Sequence, residues 1–223
     1  MVDLTIILPA RNEVEAIGRV IDEIREAFSE PLRILVVDGR STDGTPDVAR
    51  GKGVEVLVGQ GKGKGLDVRS ILSLIDTTYL VMLNADYTYP PQYLATIYWI
   101  LSHTKADVVV GIRTICGEGS MSQINSLGNW ALSLLASILY RRRVYDVCSG
   151  MWGFRTEALG EFNLTSKGFT LEADLFINTI KNKCRLEQVP IEYRKRLGGS
   201  KPKLALWDGF KIGWFLVKKR FSK

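Results

Sequence analysis

The stretch Leu4–Glu13, which reads LTIILPARNE, decides the fold because an apolar run passes directly into polar residues. Leu4–Leu8 is rich in branched apolar residues, as in a strand that is buried on both faces of a sheet. Beyond it, apolar residues recur at helical spacing through Phe28. Asn12 followed by Glu15 is typical of an N-cap and capping box, so we expect a helix to begin there. The stretch therefore predicts a strand followed by a helix.

This strand–helix unit repeats along the first half of the chain. Strands are predicted at Arg33–Val37, Val54–Val58, Tyr79–Leu83 and Asp107–Gly111, and helices at Thr45–Arg50, Leu66–Ile75 and Pro91–Leu101. Strands that alternate with helices of this length imply right-handed crossovers. We therefore expect an α/β fold, Rossmann-like, in which a mostly parallel sheet lies between helices on both faces as a three-layer α/β/α arrangement.

The pattern changes after Gly111. Its predicted elements are an apolar helix at Leu127–Tyr140, a strand at Trp152–Arg155, a helix around Ala173–Ile180, a strand at Arg185–Val189 and a last helix at Leu204–Val217. No internal repeat, low-complexity tract or linker interrupts the sequence. A single domain over residues 1–223 is the simpler interpretation.

Composition narrows the class of protein. The chain has 223 residues, 46% of them hydrophobic and 24% charged, which argues against intrinsic disorder. Its formal net charge of +6 suggests an anionic partner: nucleic acid, a phosphorylated small molecule or an acidic membrane. No secretory signal pattern opens the chain, and 3 widely spaced cysteines do not form a disulfide framework. We therefore expect a cytoplasmic protein.

Polar residues follow the predicted strands at the point where each strand ends. The first strand ends in Pro9–Glu13, the second in Asp38–Thr45, the fourth in Asn84–Asp86 and the fifth in Gly111–Arg113. Because ligands of open α/β sheets bind beyond the carboxyl ends of the strands, these segments should meet in one groove. Turn and cap chemistry could explain any one of them, but four at one edge favour a binding site.

Particular residue types in these segments suit particular tasks. Asp38 can accept hydrogen bonds from a nucleobase, whereas Asp43 before Gly44 is more typical of an Asx-turn. Asp86 could hold a divalent cation against a diphosphate, or it could be a turn residue. The glycine-rich run Gly59–Gly65 fits neither phosphate-loop pattern in register, so we interpret it as a basic loop near the groove.

Taken in order, these segments resemble the motifs of family 2 glycosyltransferases with the GT-A fold. More narrowly, they resemble those of polyprenyl-phosphate (dolichyl-phosphate) sugar synthases, the dolichol-phosphate mannosyltransferases among them. The resemblance covers nearly the whole chain and is carried by Ile7–Glu13, Val36–Thr45, Met82–Pro91, Val109–Arg113, Asp146–Arg155, Val189–Ile191 and Arg196–Lys201. Each motif alone is weak, but their shared order is specific.

The resemblance implies a role for each matching residue. The residues that it implies for donor binding are Pro9, Ala10, Arg11, Glu13, Asp38, Lys62, Asn84, Ala85 and Asp86. Acceptor or phosphate binding falls to Arg113, Ser149, Arg196 and Lys201, and the catalytic residues would be Asp86, Asp146 and Arg113. Mg²⁺ or Mn²⁺ would bind Asp86 and Asn84 and stabilise the leaving nucleoside diphosphate.

The implied reaction is an inverting transfer of a hexose or N-acetylhexosamine from a UDP- or GDP-sugar to a polyprenyl phosphate. Two departures bear on it: Asn84 replaces the first aspartate of D-x-D, and Gly39 replaces the second of a D-D pair. A neutral amide cannot offset the charge of a cation, so we expect weaker metal binding. A soluble or saccharide acceptor, or a non-catalytic nucleotide-binding relative, remains an alternative. A nucleic-acid binder rests on net charge alone.

The resemblance also divides the chain into a nucleotide-sugar-binding half, residues 1–113, and an acceptor half, residues 114–223. In the second half, Arg141–Arg143 follow one apolar helix, and Lys218–Arg220 follow the aromatic residues Trp207, Phe210, Trp214 and Phe215. Apolar and aromatic residues beside basic ones suit an anionic bilayer surface. Both helices could instead pack on the sheet. Peripheral contact with the cytoplasmic face of a membrane, or with a membrane partner protein, is the corresponding hypothesis.

Overall fold

The protein is described by a computed structural model that covers residues 3–29, 31–117, 119–197 and 206–222. Its strands are β1 (Leu4–Ala10), β2 (Arg33–Asp38), β3 (Glu55–Val58), β4 (Tyr79–Leu83), β5 (Val108–Cys116), β6 (Met151–Arg155) and β7 (Leu186–Tyr193). Its helices are α1 (Val14–Ala27), α2 (Thr45–Gly51), α3 (Lys64–Ile71), α4 (Tyr93–His103), α5 (Gln123–Tyr140), α6 (Thr156–Gly160), α7 (Leu171–Lys181) and α8 (Leu206–Phe221).

The strands form one seven-stranded sheet in the order β3-β2-β1-β4-β6-β5-β7. The pairs β1–β2, β1–β4, β2–β3 and β5–β7 are parallel, which confirms the predicted mostly parallel sheet. Strand β6 runs antiparallel between β4 and β5. Because of this reversed direction, the loop that enters β6 lies at the same edge as the carboxyl ends of its two neighbours.

Helices cover both faces of the sheet, so the predicted three-layer arrangement is confirmed. On one face, α1, α2 and α4 bury apolar residues such as Ile21, Ala49 and Ile97. On the other face, α3, α5, α7 and α8 bury residues such as Val68, Phe176 and Leu216. Successive strand residues point to opposite faces, which explains why the β1 sequence is apolar at nearly every position.

The start of α1 differs from the sequence prediction. Asn12 is not its N-cap: the helix begins at Val14, and Asn12 has a left-handed backbone (φ 51°) with its side-chain oxygen bonded to Thr42 N–H at 2.9 Å. The Val14 N–H instead donates to Asp43 Oδ2 at 3.1 Å, and the Glu13 N–H donates to the Thr45 hydroxyl at 2.8 Å. The helix is therefore capped by side chains from the loop after β2, which a local pattern could not show.

Other boundaries differ for similar reasons. Helix α5 begins at Gln123, earlier than predicted, because the Ser122 hydroxyl accepts the Asn125 N–H as an N-cap. Strand β5 continues to Cys116, past the predicted end, because its last residues pair with β7. Helix α4 begins at Tyr93, two residues after Pro91, and the predicted start of the last helix at Leu204 lies outside the described residues.

Removing the Asp43 carboxyl should destabilise the protein. It accepts the N–H of Thr45 at 3.0 Å as the expected Asx-turn, as well as the Val14 N–H. We expect Asp43→Ala to lower the free energy of unfolding by about 1 kcal/mol, the typical worth of a helix cap. Asp47→Ala, which removes a surface carboxyl paired only with Arg50 within α2, is the matched control and should change stability little.

The difference between wild type and Asp43→Ala should also depend on pH. Partial burial raises the pKa of Asp43, but the hydrogen bonds from Thr45 and Val14 outweigh it and lower the pKa overall. A lowered pKa contributes stability above the unfolded value and loses it as pH falls through the folded value. The difference in urea unfolding should therefore shrink below pH about 4. An unchanged difference in acid would contradict this account.

Candidate active site

A groove lies beyond the carboxyl ends of β1, β2, β4 and β5. Its floor carries three buried carboxylates, those of Glu13, Asp38 and Asp86, each contributed by a different strand end. Buried charges require partners, so the groups that face these carboxylates show what the groove can bind.

The two carboxylate oxygens of Asp86 have different partners, one in a turn and one in the groove. Its Oδ1 accepts the hydroxyl of Thr88 at 2.6 Å, the turn contact that the sequence allowed. Its Oδ2 forms an ion pair with Arg196 Nη2 at 2.5 Å. The other terminal nitrogen of Arg196 lies 3.7 Å from Glu13 Oε1. The structure thus brings together three residues that the sequence assigned to one groove, and Arg196 is over a hundred residues along the chain from the other two.

Asn84, in the D-x-D position, is engaged by a lysine that sequence reasoning missed. Lys64 Nζ donates to Asn84 Oδ1 at 2.6 Å and to Glu172 Oε1 at 2.5 Å. The side chains of Lys64 and Glu172 are only 15% and 11% exposed. Gly150 packs so closely that a side chain there would collide with the Asn84 amide. The amide oxygen of Asn84 is therefore held by an ammonium group.

The basic loop places a second lysine, beside the predicted Lys62, in contact with the groove. Lys62 is exposed, whereas Lys64, two residues later at the start of α3, points into the groove. The glycines on either side of Lys64 were a usable signal, because Gly63 has φ +127° and both pack against residues 166–168. Glu172 belongs to α7, far along the chain, and no local pattern indicates its part in the groove.

Asp38 lies buried at the end of β2, and both of its oxygens accept the Ser41 N–H, at 3.2 and 3.3 Å. Packing explains why glycine stands at position 39, where the family motif has the second aspartate of a D-D pair. A β-carbon at Gly39 would lie 3.3 Å from Asp67 Oδ2, and Asp67 is itself buried. A side chain at this position would therefore begin in tight contact with a buried carboxylate of α3.

Arg113 and Asp146 form a buried bidentate ion pair. Arg113 Nε lies 2.6 Å from Asp146 Oδ2, and Nη2 lies 2.7 Å from Oδ1. The guanidinium also stacks over the Tyr193 ring at 5.1 Å. Burial alone would lower the pKa of Arg113, but its interactions with Tyr89 and Asp146 raise it, so the group stays charged. Both residues sit at the predicted acceptor side of the groove.

The loop that enters β6 is held by internal contacts. The fully buried Ser149 hydroxyl donates to the Gly111 carbonyl, and Gly150 N–H donates to the Tyr89 hydroxyl at 2.7 Å. Burial raises the pKa of the Cys148 thiol to about 12, so this thiol stays protonated. Ser149 therefore lies beneath the groove surface and joins β5 to β6.

The remaining predicted residues occupy different depths. Pro9 and Ala10 end β1, Ala85 is buried between Asn84 and Asp86, and the Arg11 guanidinium donates to the Gly61 carbonyl at 3.4 Å. Lys201 lies outside the described residues. The individual binding and catalytic roles of all these residues stay predictions.

The donor set at Asp86 fits a divalent cation. Carboxylate oxygens are the ligands that Mg²⁺ and Mn²⁺ prefer, and such ions take few ligands from protein when a diphosphate and water supply the rest. Arg196 shows that the position between Asp86 and Glu13 accommodates positive charge. Asn84 fits less well, because its oxygen already accepts from Lys64. No cluster of three acidic, histidine or cysteine side chains is found in the described ranges.

Beside the groove, α5 and α8 share an exposed aromatic face. We use this name for Ile124, Leu127, Trp130, Leu134, Ile138, Trp207, Phe210, Trp214 and Phe221, all of them exposed. The helices are joined by hydrogen bonds from Tyr140 to the Leu216 carbonyl and from Arg220 to the Leu139 carbonyl. Their opposite sides pack on the sheet, so Phe215, predicted to join the aromatic surface, packs against the core instead.

Helix α5, which carries part of the aromatic face, is bonded on its other side to the predicted acceptor loop. The Ser133 hydroxyl of α5 accepts the Val147 N–H at 3.0 Å, and Ser137 accepts the Val144 N–H at 3.0 Å. Over the residues that the structure covers, no helix combines the length and apolar character needed to cross a bilayer.

Comparison with known proteins agrees with this architecture. The model of glycosyl transferase family 2 matches residues 5–162. The dolichyl-phosphate hexose transferase of Haloferax volcanii is 34% identical over 199 residues, covering 89% of this chain and 86% of that protein. The undecaprenyl-phosphate mannosyltransferase of Micrococcus luteus is 29% identical over 211 residues, covering 87% and 85%.

Solved structures share the fold at lower identity. Glucosyl-3-phosphoglycerate synthase from Mycobacterium tuberculosis, crystallised with Mn²⁺, UDP and its product, superposes with a TM-score of 0.77 at 21% identity, over 97% of this chain and 79% of that one. Mannosyl-3-phosphoglycerate synthase from Rubrobacter xylanophilus gives 0.75 at 23% identity, over 97% and 72%. The sheet order, the groove and these matches lead to one assignment: the chain belongs to glycosyl transferase family 2 and has the GT-A fold.

Proposed function

We propose that this glycosyltransferase moves a hexosyl or N-acetylhexosaminyl group from a UDP- or GDP-sugar to a polyprenyl phosphate, with inversion, at the cytoplasmic face of a membrane. The observation that carries the lipid acceptor is the exposed aromatic face on α5 and α8, because the buried side of α5 is bonded through Ser133 to the loop of Asp146 and Ser149. The names of the Haloferax and Micrococcus relatives support the same acceptor class.

The groove has the groups that a nucleotide sugar requires. Asp38 would accept hydrogen bonds from the base, and Lys64, bonded to Asn84, would supply positive charge where the diphosphate would lie. Asp86, assisted by Glu13, would hold Mg²⁺ or Mn²⁺. When bound, that ion would stabilise negative charge on the departing diphosphate.

In the reaction, an oxygen of the acceptor phosphate attacks the anomeric carbon, and the bond from that carbon to the diphosphate oxygen breaks. The nucleoside diphosphate leaves with the electron pair, and because the acceptor attacks from the face opposite the leaving group, the configuration inverts. The phosphate acceptor is already anionic, and a strong general base is not required. Arg113, held by Asp146, is proposed to orient the acceptor phosphate.

The decisive experiment supplies radiolabelled UDP-glucose, UDP-GlcNAc and GDP-mannose with Mn²⁺ and either dolichyl phosphate or 3-phosphoglycerate. We expect label in the organic phase with one donor and dolichyl phosphate. Label only in water-soluble products would reject the lipid acceptor in favour of a soluble one, and no transfer to either acceptor would favour a non-catalytic nucleotide-binding protein.

Membrane contact through the aromatic face is a separate prediction. Trp130 and Trp214 are 61% and 68% exposed on adjacent helices, and Lys218–Arg220 follow on α8. Interfacial tryptophans bury apolar area, and basic residues attract anionic headgroups. Replacing both tryptophans by serine should weaken sedimentation with phosphatidylcholine–phosphatidylglycerol vesicles by about tenfold or more.

The matched control for this prediction is Trp99→Ser. Trp99 is 56% exposed but belongs to α4, on the opposite face of the sheet. The Trp99→Ser variant should bind vesicles as the wild type does. Equal loss in both variants, or no loss in the double variant, would show that the aromatic face does not contact the bilayer.

A further inference from the structure

The two terminal nitrogens of the Arg196 guanidinium make unequal contacts. Nη2 forms a short ion pair with Asp86, whereas Nη1 is buried, has no hydrogen-bond partner among the residues that the structure describes, and lies 3.7 Å from Glu13, beyond hydrogen-bond distance. Buried donors are nearly always hydrogen-bonded in folded proteins. This guanidinium therefore balances the charge of two carboxylates without being well bonded to both.

The backbone just before Arg196 is anchored, whereas Arg196 itself lies outside the sheet. Arg194 N–H donates to the Thr88 carbonyl at 2.9 Å, and its guanidinium pairs with Glu23 at 2.8 Å and lies over the Tyr87 ring. Strand β7 has already ended at Tyr193. Arg196 lies two residues beyond this anchor, where no strand pairing holds it.

We propose that Arg196 is a tethered counter-ion that a divalent cation displaces from Asp86, and that the freed guanidinium then binds the acceptor phosphate. The binding of the acceptor phosphate rests on the proposed function, whereas the displacement of Arg196 from Asp86 does not. A metal ion and a guanidinium compete for Asp86 Oδ2 because both are cations that need the same oxygen. Donor loading would thereby expose an anion-binding group, and the two binding events would be positively coupled.

The first test measures Mn²⁺ binding by the loss of the free-ion electron paramagnetic resonance signal, with no nucleotide or acceptor present. Arg196→Ala should bind Mn²⁺ about tenfold more tightly than wild type, because the internal competitor is gone. Arg196→Lys should resemble wild type. Lys195→Ala is the matched control, since it removes an adjacent exposed positive charge, and it should leave Mn²⁺ affinity near the wild-type value.

Two further variants keep this test decisive. Adding Asp86→Asn to Arg196→Ala should abolish the tighter binding, which locates the ion at Asp86. Arg196→Gln retains more of the side-chain volume and replaces Arg196→Ala in the test if the alanine variant does not fold. It should also bind Mn²⁺ more tightly than wild type. Unchanged or weaker Mn²⁺ binding in folded Arg196→Ala or Arg196→Gln would overturn the displacement.

The second test uses farnesyl phosphate as a short acceptor probe in calorimetry. Adding Mn²⁺ and nucleoside diphosphate should raise its affinity for the wild type by about tenfold, within the usual range of coupling between sites. Arg196→Ala should lose this increase, and Lys195→Ala should keep it. If Arg196→Ala binds Mn²⁺ more tightly but Mn²⁺ and nucleoside diphosphate do not raise the affinity for farnesyl phosphate, only the binding of the acceptor phosphate by Arg196 is overturned. If Arg196→Ala binds Mn²⁺ more tightly but the lipid-transfer assay fails, the lipid acceptor is rejected and the displacement of Arg196 by the cation stands.

Discussion

Asp86→Ala should abolish transfer, with kcat/KM falling by about a thousandfold, the order seen when a main source of transition-state charge stabilisation is lost. Asp86 is a buried carboxylate of the groove, and its Oδ2 faces the position that Arg196 occupies as a cation. Without it, the ion would lose its main oxygen ligand, and Glu13 alone would remain to hold it. Radiolabel transfer with saturating Mn²⁺ measures the effect.

The controls separate Asp86 from its surroundings. Asp47→Ala removes an exposed carboxyl on α2 and should leave transfer unchanged. Asn84→Asp should retain or raise transfer, because an aspartate there would restore the D-x-D pattern while Lys64 remains available as its partner. Equal activity of Asp86→Ala and wild type would refute the metal assignment, whereas a dead Asn84→Asp would show that the neutral amide is required.

Asp146→Ala should cause the largest loss of stability, about 3–5 kcal/mol in the free energy of urea unfolding. The reason is that Arg113 would remain buried and charged without the carboxylate that now accepts from its Nε, its Nη2 and its backbone N–H. The exposed pair of Arg50 and Asp47 is the comparison, because breaking such a surface pair has an effect of about 0–1 kcal/mol.

A double variant separates stability from catalysis at this pair. Arg113→Met with Asp146→Leu removes both charges and should recover most of the lost stability, since an apolar pair of similar size can replace a buried ion pair. We expect this folded double variant to remain poor in transfer, by about a hundredfold, if Arg113 orients the acceptor phosphate. Full activity would show that the pair only holds the fold.

Much of the groove was predictable because strand ends obey a general rule. In a parallel sheet the carboxyl ends meet at one edge, so Asp38, Asp86 and Glu13 could be placed together from their positions after apolar runs. Arg196 entered only through the family resemblance, and its contact with Asp86 needed the structure. Asp67 and Glu172 were missed because a lone charged residue in a helix gives no local sign of what it will face, and Lys64 was missed although two glycines flank it.

The sequence by itself determined the α/β class, the succession of strands and helices, and the edge at which the groove would form. These follow from hydrophobic periodicity and chain connectivity, which act over short distances along the chain. Tertiary structure alone decided the antiparallel place of β6, the capping of α1 by Asp43, and the partners of Asn84 and Asp86. Those contacts join residues far apart in the chain, and buried polar groups accept whichever partner the packed elements bring within reach.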